Sequence, residues 1–102
     1  MIKFLKEISA PSIFTKGLLR YKQGNFEDSK KLILKAGKWM PDLKNDNFYK
    51  AALLVIESKL GQKFQSIIFE DALESIKESP YKGTNDYLVI FKDLKDNIKG
   101  AT

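Results

Sequence analysis

Small residues recur at fixed offsets in the segment GLLRYKQGNFEDSKKLILKAGKWMP, which spans residues 17–41. Gly17 and Ser29 lie on either side of Gly24, and apolar residues continue at helical spacing in both directions. Two helices approach closely only where neither carries a bulky side chain, because the distance between their axes depends on the side chains at the contact. We therefore expect two antiparallel helices joined at Gly24, with Gly17 packed against Ser29. Pro41 ends the unit because its ring and missing N–H cannot continue a helix.

Helical periodicity extends over almost all of the 102 residues, and no segment alternates with the period of a β-strand. Glycines and prolines interrupt the periodicity and predict six helices. Suitable cap residues precede three of them: Ser9 or Ala10, Asp46, and Thr84 or Asn85. The predicted helices span about 2–8, 11–24, 26–39, 47–60, 64–78 and 85–98. The prediction is a single helical domain over 1–102, all-α, with five or six helices arranged as antiparallel neighbours.

The segment 10–43 resembles the tetratricopeptide repeat, a helix–turn–helix unit of about 34 residues. The residues that carry the resemblance are Ile13, Gly17, Gly24, Phe26, Ser29, Ala36 and Pro41. Lys16 and Arg20 depart from the family pattern, which has apolar residues there. A degenerate second unit is marked by Ala51, Gly61, Ala72 and Pro80. The resemblance implies helical hairpins stacked in a short right-handed array with the last helix as a capping helix; a generic helical bundle is the alternative.

The composition excludes most kinds of catalytic chemistry. The chain contains no histidine and no cysteine, which removes the commonest general base and metal ligand, and thiolate chemistry as well. Gly24, Gly37, Gly61 and Gly83 do not form a phosphate-binding loop, and each is interpreted as the end of a helix. We predict no catalytic residues, no metal site, no cofactor and no small-molecule substrate. The longest apolar run, residues 51–56, is too short to cross a bilayer.

A first candidate binding surface follows from the repeat resemblance. In repeat arrays the first helix of each pair lines an inner groove, and the matching residues here are Phe14, Leu18, Tyr21, Lys22, Phe48, Ala52, Val55 and Ile56. Some members of the family clamp a peptide carboxylate in this groove with basic and amide residues. Phe14 and Leu18 occupy the start of that clamp here, so the resemblance implies an apolar groove for a partner helix. The same residues also suit a core that the last helix covers, and both interpretations stay open.

A second candidate surface is an acidic stripe on the predicted fifth helix. Glu70, Asp71, Glu74 and Glu78 recur at helical spacing and lie on one face. A solvated face is a simpler interpretation than a metal site, which would need ligands from elsewhere. The stripe either pairs with lysines of the predicted third helix or faces a basic partner. Those lysines are Lys30, Lys31, Lys35 and Lys38.

The charge is uneven. Residues 1–50 hold eleven basic and five acidic residues, and the whole chain has a formal net charge of +5. A basic half is typical of a nucleic-acid binder, of a protein with an acidic partner, or of a lysine-rich solvated surface. Nucleic acid is the less favoured partner, because Arg20 is the only arginine and phosphate recognition usually relies on arginine.

The predicted function is a cytoplasmic, non-catalytic protein–protein interaction module. Chains of this size and character include small inhibitors and immunity proteins, which neutralise a toxin by occupying its surface. A basic nuclease toxin would be a suitable partner for the acidic stripe. The alternative is a nucleic-acid-binding helical protein that uses its basic N-terminal half.

Overall fold

The computed structural model describes the backbone of residues 2–100 and the side chains of residues 9–99. Over this part of the chain all regular secondary structure is helical, which confirms the all-α prediction with five or six helices. The α-helices are α1 (Ile2–Lys22), α2 (Phe26–Trp39), α3 (Asn47–Lys59), α4 (Ser66–Ser75) and α5 (Asn85–Gly100). A short 3-10 helix, Pro41–Asn45, joins α2 to α3. The stacking of these helices as a right-handed repeat array stays a prediction.

The predicted break at Pro11 is wrong, because α1 continues through this proline. A proline inside a helix loses one backbone hydrogen bond and crowds the preceding turn. Ala10, Phe14, Leu18 and Tyr21 nevertheless form one continuous buried face of α1. The apolar area buried along this face offsets the local cost of the proline. Ser9 and Ala10 are therefore interior residues of α1 and not caps. The apolar side chains predicted for residues 2–8 lie outside the described side chains.

The close contact predicted between Gly17 and Ser29 is present. The Ser29 hydroxyl donates a hydrogen bond of 2.7 Å to the backbone oxygen of Gly17, and Ser29 is fully buried. A Cβ atom at Gly17 would lie 2.7 Å from Cγ1 of Ile33, well inside the contact distance. The absence of a side chain at Gly17 therefore sets the separation of α1 and α2, which share the most extensive helix contact in the described part of the chain.

The predicted glycines mark helix ends at two of four positions, since Gly24 and Gly61 follow the ends of α1 and α3, whereas Gly83 lies in the turn before α5. Gly24, Gly61 and Gly83 have φ angles of 82°, 103° and 93°, a region that other residues rarely adopt. Gly37 does not end a helix. It lies inside α2, where an added Cβ would overlap the hydroxyl of Tyr49. Gly37 is thus a second close contact, between α2 and α3, for the same steric reason as Gly17.

Two predicted caps are present. The carboxylate of Asp46 accepts a hydrogen bond of 2.8 Å from the backbone N–H of Phe48 at the start of α3. The hydroxyl of Thr84 accepts one of 3.1 Å from the N–H of Tyr87 at the start of α5. Each satisfies a backbone donor that has no partner within its helix.

Helix α3 occupies the centre of the fold and packs on α2, α4 and α5. Its Phe48 is fully buried, and the Phe48 ring stacks on Tyr81 and Tyr87 and meets Phe14 edge to face. These aromatic contacts bring α1, α3, α5 and the α4–α5 connection into one core. No helix in the described part of the chain combines the length and the apolar character needed to cross a bilayer.

Candidate functional site

The side chains predicted to line an inner groove belong to the core. Phe14, Leu18, Tyr21, Phe48 and Val55 are each less than 5% exposed. Ala52 and Ile56 are fully buried as well. Among the described side chains, this set therefore forms no open groove. Its members are core residues, as in the alternative interpretation.

Helix α5 covers this predicted groove. The Tyr87 ring lies on Phe48, and the Tyr21 hydroxyl donates a hydrogen bond to Asp93. Burial first, and then the hydrogen bond and negative charge of Asp93, raise the pKa of Tyr21 far above its ordinary value. Lys22 is the exposed member of the predicted set, and its amine lies 2.6 Å from the carboxylate of Asp86. All of these contacts connect α5 to α1 or α3, so they leave no room for a partner helix.

The acidic residues, in contrast, are on the surface. Glu70, Asp71 and Glu74 are exposed on α4, and Glu78 is exposed in the turn that follows. The predicted helix 64–78 is too long, since α4 begins at Ser66 and ends at Ser75. Pro80 lies shortly after this end and disfavours helical geometry in the residue before it. The stripe therefore has three members on the helix, and Glu78 is not one of them.

The lysines of α2 do not neutralise this stripe. Among the described residues, the acidic stripe makes one ion pair, in which the Glu74 carboxylate lies 2.8 Å from the amine of Lys77 on the same segment. The hydrogen bond and charge of Glu74 raise the pKa of Lys77. The amine of Lys35 instead lies 4.8 Å from the centre of the Trp39 ring. The first of the two alternatives, internal pairing between α2 and α4, is therefore absent from this part of the structure.

Two isoleucines lie beside the acidic residues. Ile67 is 49% exposed and Ile68 is 43% exposed, although both side chains are large and apolar. Phe69, the next residue along the chain, is buried. We define the α4 surface as Ile67, Ile68, Glu70, Asp71 and Glu74. It combines two exposed apolar side chains with three carboxylates on one short helix.

A second surface was not predicted. A pocket of about 480 Å³, open to solvent, lies between α2, α3 and the segment before α4. Its walls are mostly apolar, and three charged residues stand among them. The lining residues are Leu34, Lys44, Tyr49, Lys50, Leu53, Leu54, Glu57 and Phe64. We call this pocket the α2–α3 groove. The signal that could have revealed it is Leu34, which lies outside the buried face of α2 and is 44% exposed.

A hydrogen bond joins two helices at the base of this groove. The Tyr49 hydroxyl donates a hydrogen bond of 2.9 Å to the backbone oxygen of Ile33, and this bond joins α3 to α2 beneath the groove. Burial raises the pKa of Tyr49, so the hydroxyl keeps its proton at neutral pH and acts as a donor. In the part of the chain with described side chains, no three carboxylates come close enough together to hold a metal ion. The arrangement is suited to binding by apolar contact and charge.

No protein-family model, no curated protein and no solved structure is similar enough to the chain to count as a match. The interpretation of both surfaces therefore depends on their own chemistry.

Proposed function

We propose that the protein is a non-catalytic protein-binding module that binds a basic partner protein through the α4 surface. The observation that carries the proposal is the exposure of Glu70, Asp71 and Glu74 without compensation by the lysines of α2. Like charges on adjacent turns of one helix repel each other and reduce stability unless a cation offsets them. A basic partner would supply that offset and would cover the exposed Ile67 and Ile68 at the same time.

The class of partner follows from this chemistry. Carboxylates around apolar anchors suit a protein whose own contact surface carries lysine or arginine, and such pairing mainly accelerates association and provides specificity. A nuclease has such a surface, since it must attract a polyanion. The proposal therefore includes a cytoplasmic inhibitor or immunity protein that occupies the surface of a basic nuclease toxin. The resemblance of residues 10–43 to a tetratricopeptide repeat is consistent with a binding role and stays a prediction.

A matched pair of charge variants tests the proposal. The test variant carries Glu70→Gln, Asp71→Asn and Glu74→Gln, and the control carries Glu27→Gln, Asp28→Asn and Asp42→Asn. Both lose three negative charges, but only the first changes the α4 surface. The probe is a fluorescent amphipathic peptide with leucines on one helical face and lysines on the other, and binding is measured by anisotropy. We expect the test variant to bind at least about tenfold more weakly than the parent, and the control to differ little.

Stability separates a binding surface from a structural one. The test variant should melt at or slightly above the temperature of the parent, because removal of neighbouring like charges relieves repulsion and the lost ion pair of Glu74 with Lys77 is exposed and contributes little. Equal peptide binding by the parent and the test variant would contradict the proposal. A duplex DNA probe, titrated over a series of salt concentrations, addresses the alternative. DNA binding that persists at physiological salt with a steep salt dependence would favour a nucleic-acid binder instead.

A further inference from the structure

The α2–α3 groove has opposite charges at its two ends along α3. Lys50, Leu53, Leu54 and Glu57 follow one another along α3, so the groove extends over about two helical turns, or about 10 Å. Lys50 marks one end and Glu57 marks the other, with the two leucines between them. This length corresponds to the reach of a docked helix that uses anchors at positions i, i+3 or i+4, and i+7.

The wall on α2 makes the groove basic overall. Leu34 is exposed, and its neighbours one turn away along the helix are Lys30, Lys31 and Lys38. Lys44 of the 3-10 helix contributes another amine to the lining. A docked helix must therefore present apolar side chains to Leu34 and Leu53, and carboxylates to the lysines.

The α4 surface of the same chain has this composition. Ile67 and Ile68 come first, and Glu70, Asp71 and Glu74 follow within the next two turns. When the helices are antiparallel and Ile67 and Ile68 lie on Leu53 and Leu54, Asp71 lies about one turn further along, at the level of Lys50. Lys63, an exposed residue just before α4, has the sign needed opposite Glu57. The order of charges on α4 is thus complementary to the groove when the two helices are antiparallel.

A chain's own α4 does not fill its groove. Phe69 faces the interior and its ring meets Phe64 edge to face at 5.8 Å, while α4 packs on α3 and α5. Ile67 and the carboxylates of α4 remain exposed, and so does Leu34 on the groove wall. Both halves of the complementary pair are therefore free to meet another molecule.

We propose that the α2–α3 groove binds α4 of a second copy of this chain. In this contact Ile67 and Ile68 pack on Leu53 and Leu54, and Asp71 and Glu74 face Lys44 and Lys50. If each of two copies places its α4 in the groove of the other, they form a closed dimer. If only one copy of each pair does so, the contact repeats and larger assemblies form. This contact does not depend on the proposed function. A basic partner and a second copy would, however, compete for the same α4 surface.

Charge-swap variants test this contact. One variant carries Asp71→Lys and Glu74→Lys, and the other carries Lys44→Glu and Lys50→Glu. The mass of each is measured by sedimentation equilibrium at protein concentrations up to about 1 mM, where weak contacts are detectable. The parent should rise above the monomer mass of 11.7 kDa. Each variant alone should associate at least about tenfold more weakly, and an equimolar mixture should regain association because the reversed charges again match.

Matched controls carry the same charge changes on other exposed residues. Asp42→Lys with Glu27→Lys is the control for α4, and Lys16→Glu with Lys92→Glu is the control for the groove. Both controls should associate like the parent, and circular dichroism checks that every variant is folded.

A parent that stays at 11.7 kDa throughout, or a mixture that fails to regain association, would overturn the proposal. Groove binding to an acidic amphipathic peptide by a strictly monomeric parent would also overturn it, in favour of a different partner. None of these results depends on binding of the basic peptide, so the two proposals can fail separately.

Discussion

Gly17 and Gly37 are the two residues at which the absence of a side chain determines how closely helices pack. A Cβ at Gly17 would meet Ile33 on α2, and one at Gly37 would overlap Tyr49 on α3. Helix α2 is therefore held close to α1 in its middle and close to α3 near its carboxyl end. Both glycines cost helix propensity of about 1 kcal/mol relative to alanine, and the packing they permit offsets this cost.

We predict that Gly17→Leu lowers the free energy of unfolding by about 1–3 kcal/mol, because the new side chain must displace Ile33 and separate α1 from α2. Urea unfolding followed by circular dichroism measures the change. Lys16→Leu is the control, since Lys16 is exposed on the same helix. Equal stability of Gly17→Leu and the parent would show that the interface between α1 and α2 is loose at this point.

At the scale of the helices, local residues decide where most elements begin. Asp46 and Thr84 supply side-chain acceptors at the starts of α3 and α5. Asn25 precedes α2 but donates its side-chain hydrogen bond to Asp28 and caps no backbone N–H. The start of α2 instead follows from the turn at Gly24, so the three helices do not share one mechanism of initiation.

Asp46→Ala is expected to lower the free energy of unfolding by about 1 kcal/mol, the usual cost of a lost N-cap. Asp42→Ala removes the same charge four residues earlier, where the described structure has no side-chain hydrogen bond, and serves as the control. Thermal melts of both variants at neutral pH compare them directly. If the two variants melt at the same temperature, the cap at Asp46 contributes nothing beyond its charge.

At the scale of the whole molecule, α5 closes the fold over its first half. Tyr21 of α1 is joined to Asp93 of α5 across 72 residues of sequence. The Ser58 hydroxyl of α3 also donates a hydrogen bond of 2.9 Å to Asn97 of α5. These polar contacts fix the register of α5 along the apolar core, and they explain why the residues predicted to line a groove are buried.

Tyr21→Phe should lower the free energy of unfolding by about 2 kcal/mol at neutral pH, since a hydrogen bond to a carboxylate is lost. It should also change the pH dependence. Burial and Asp93 raise the pKa of Tyr21 above 10.0, so the folded chain retains a proton that the unfolded chain loses. The stability due to Tyr21 is full below pH 10.0 and falls as the pH rises beyond it.

Urea unfolding between pH 8 and 11 measures this slope, which should be shallower in Tyr21→Phe than in the parent. Some slope should remain, because burial also raises the pKa of Tyr49 and Tyr81. Asp93→Asn is the companion variant, and it should reduce the slope less than Tyr21→Phe does, because burial is the largest cause of the raised pKa of Tyr21. Parallel curves for Tyr21→Phe and the parent would mean that Tyr21 ionises equally in the folded and unfolded chains.

The sequence by itself determined the all-α class, the bounds of α2 within a residue, the caps at Asp46 and Thr84, and the contact of Gly17 with Ser29. Each of these depends on interactions between residues close together in sequence, or on steric properties of glycine and proline that are independent of the rest of the fold. It also identified Glu70, Asp71 and Glu74, because a charged cluster at helical spacing stays exposed in almost any packing arrangement.

Only the tertiary structure decided which apolar residues are covered. Apolar residues occur on most sides of α4, so periodicity does not distinguish Phe69, which is buried, from Ile67 and Ile68, which are exposed. In α1, tertiary packing along one face likewise keeps the helix continuous through Pro11. Burial depends on which helix lies against which face, and here the position of α5, set by contacts such as Tyr21 with Asp93, converted the predicted groove into core and left the α2–α3 groove open.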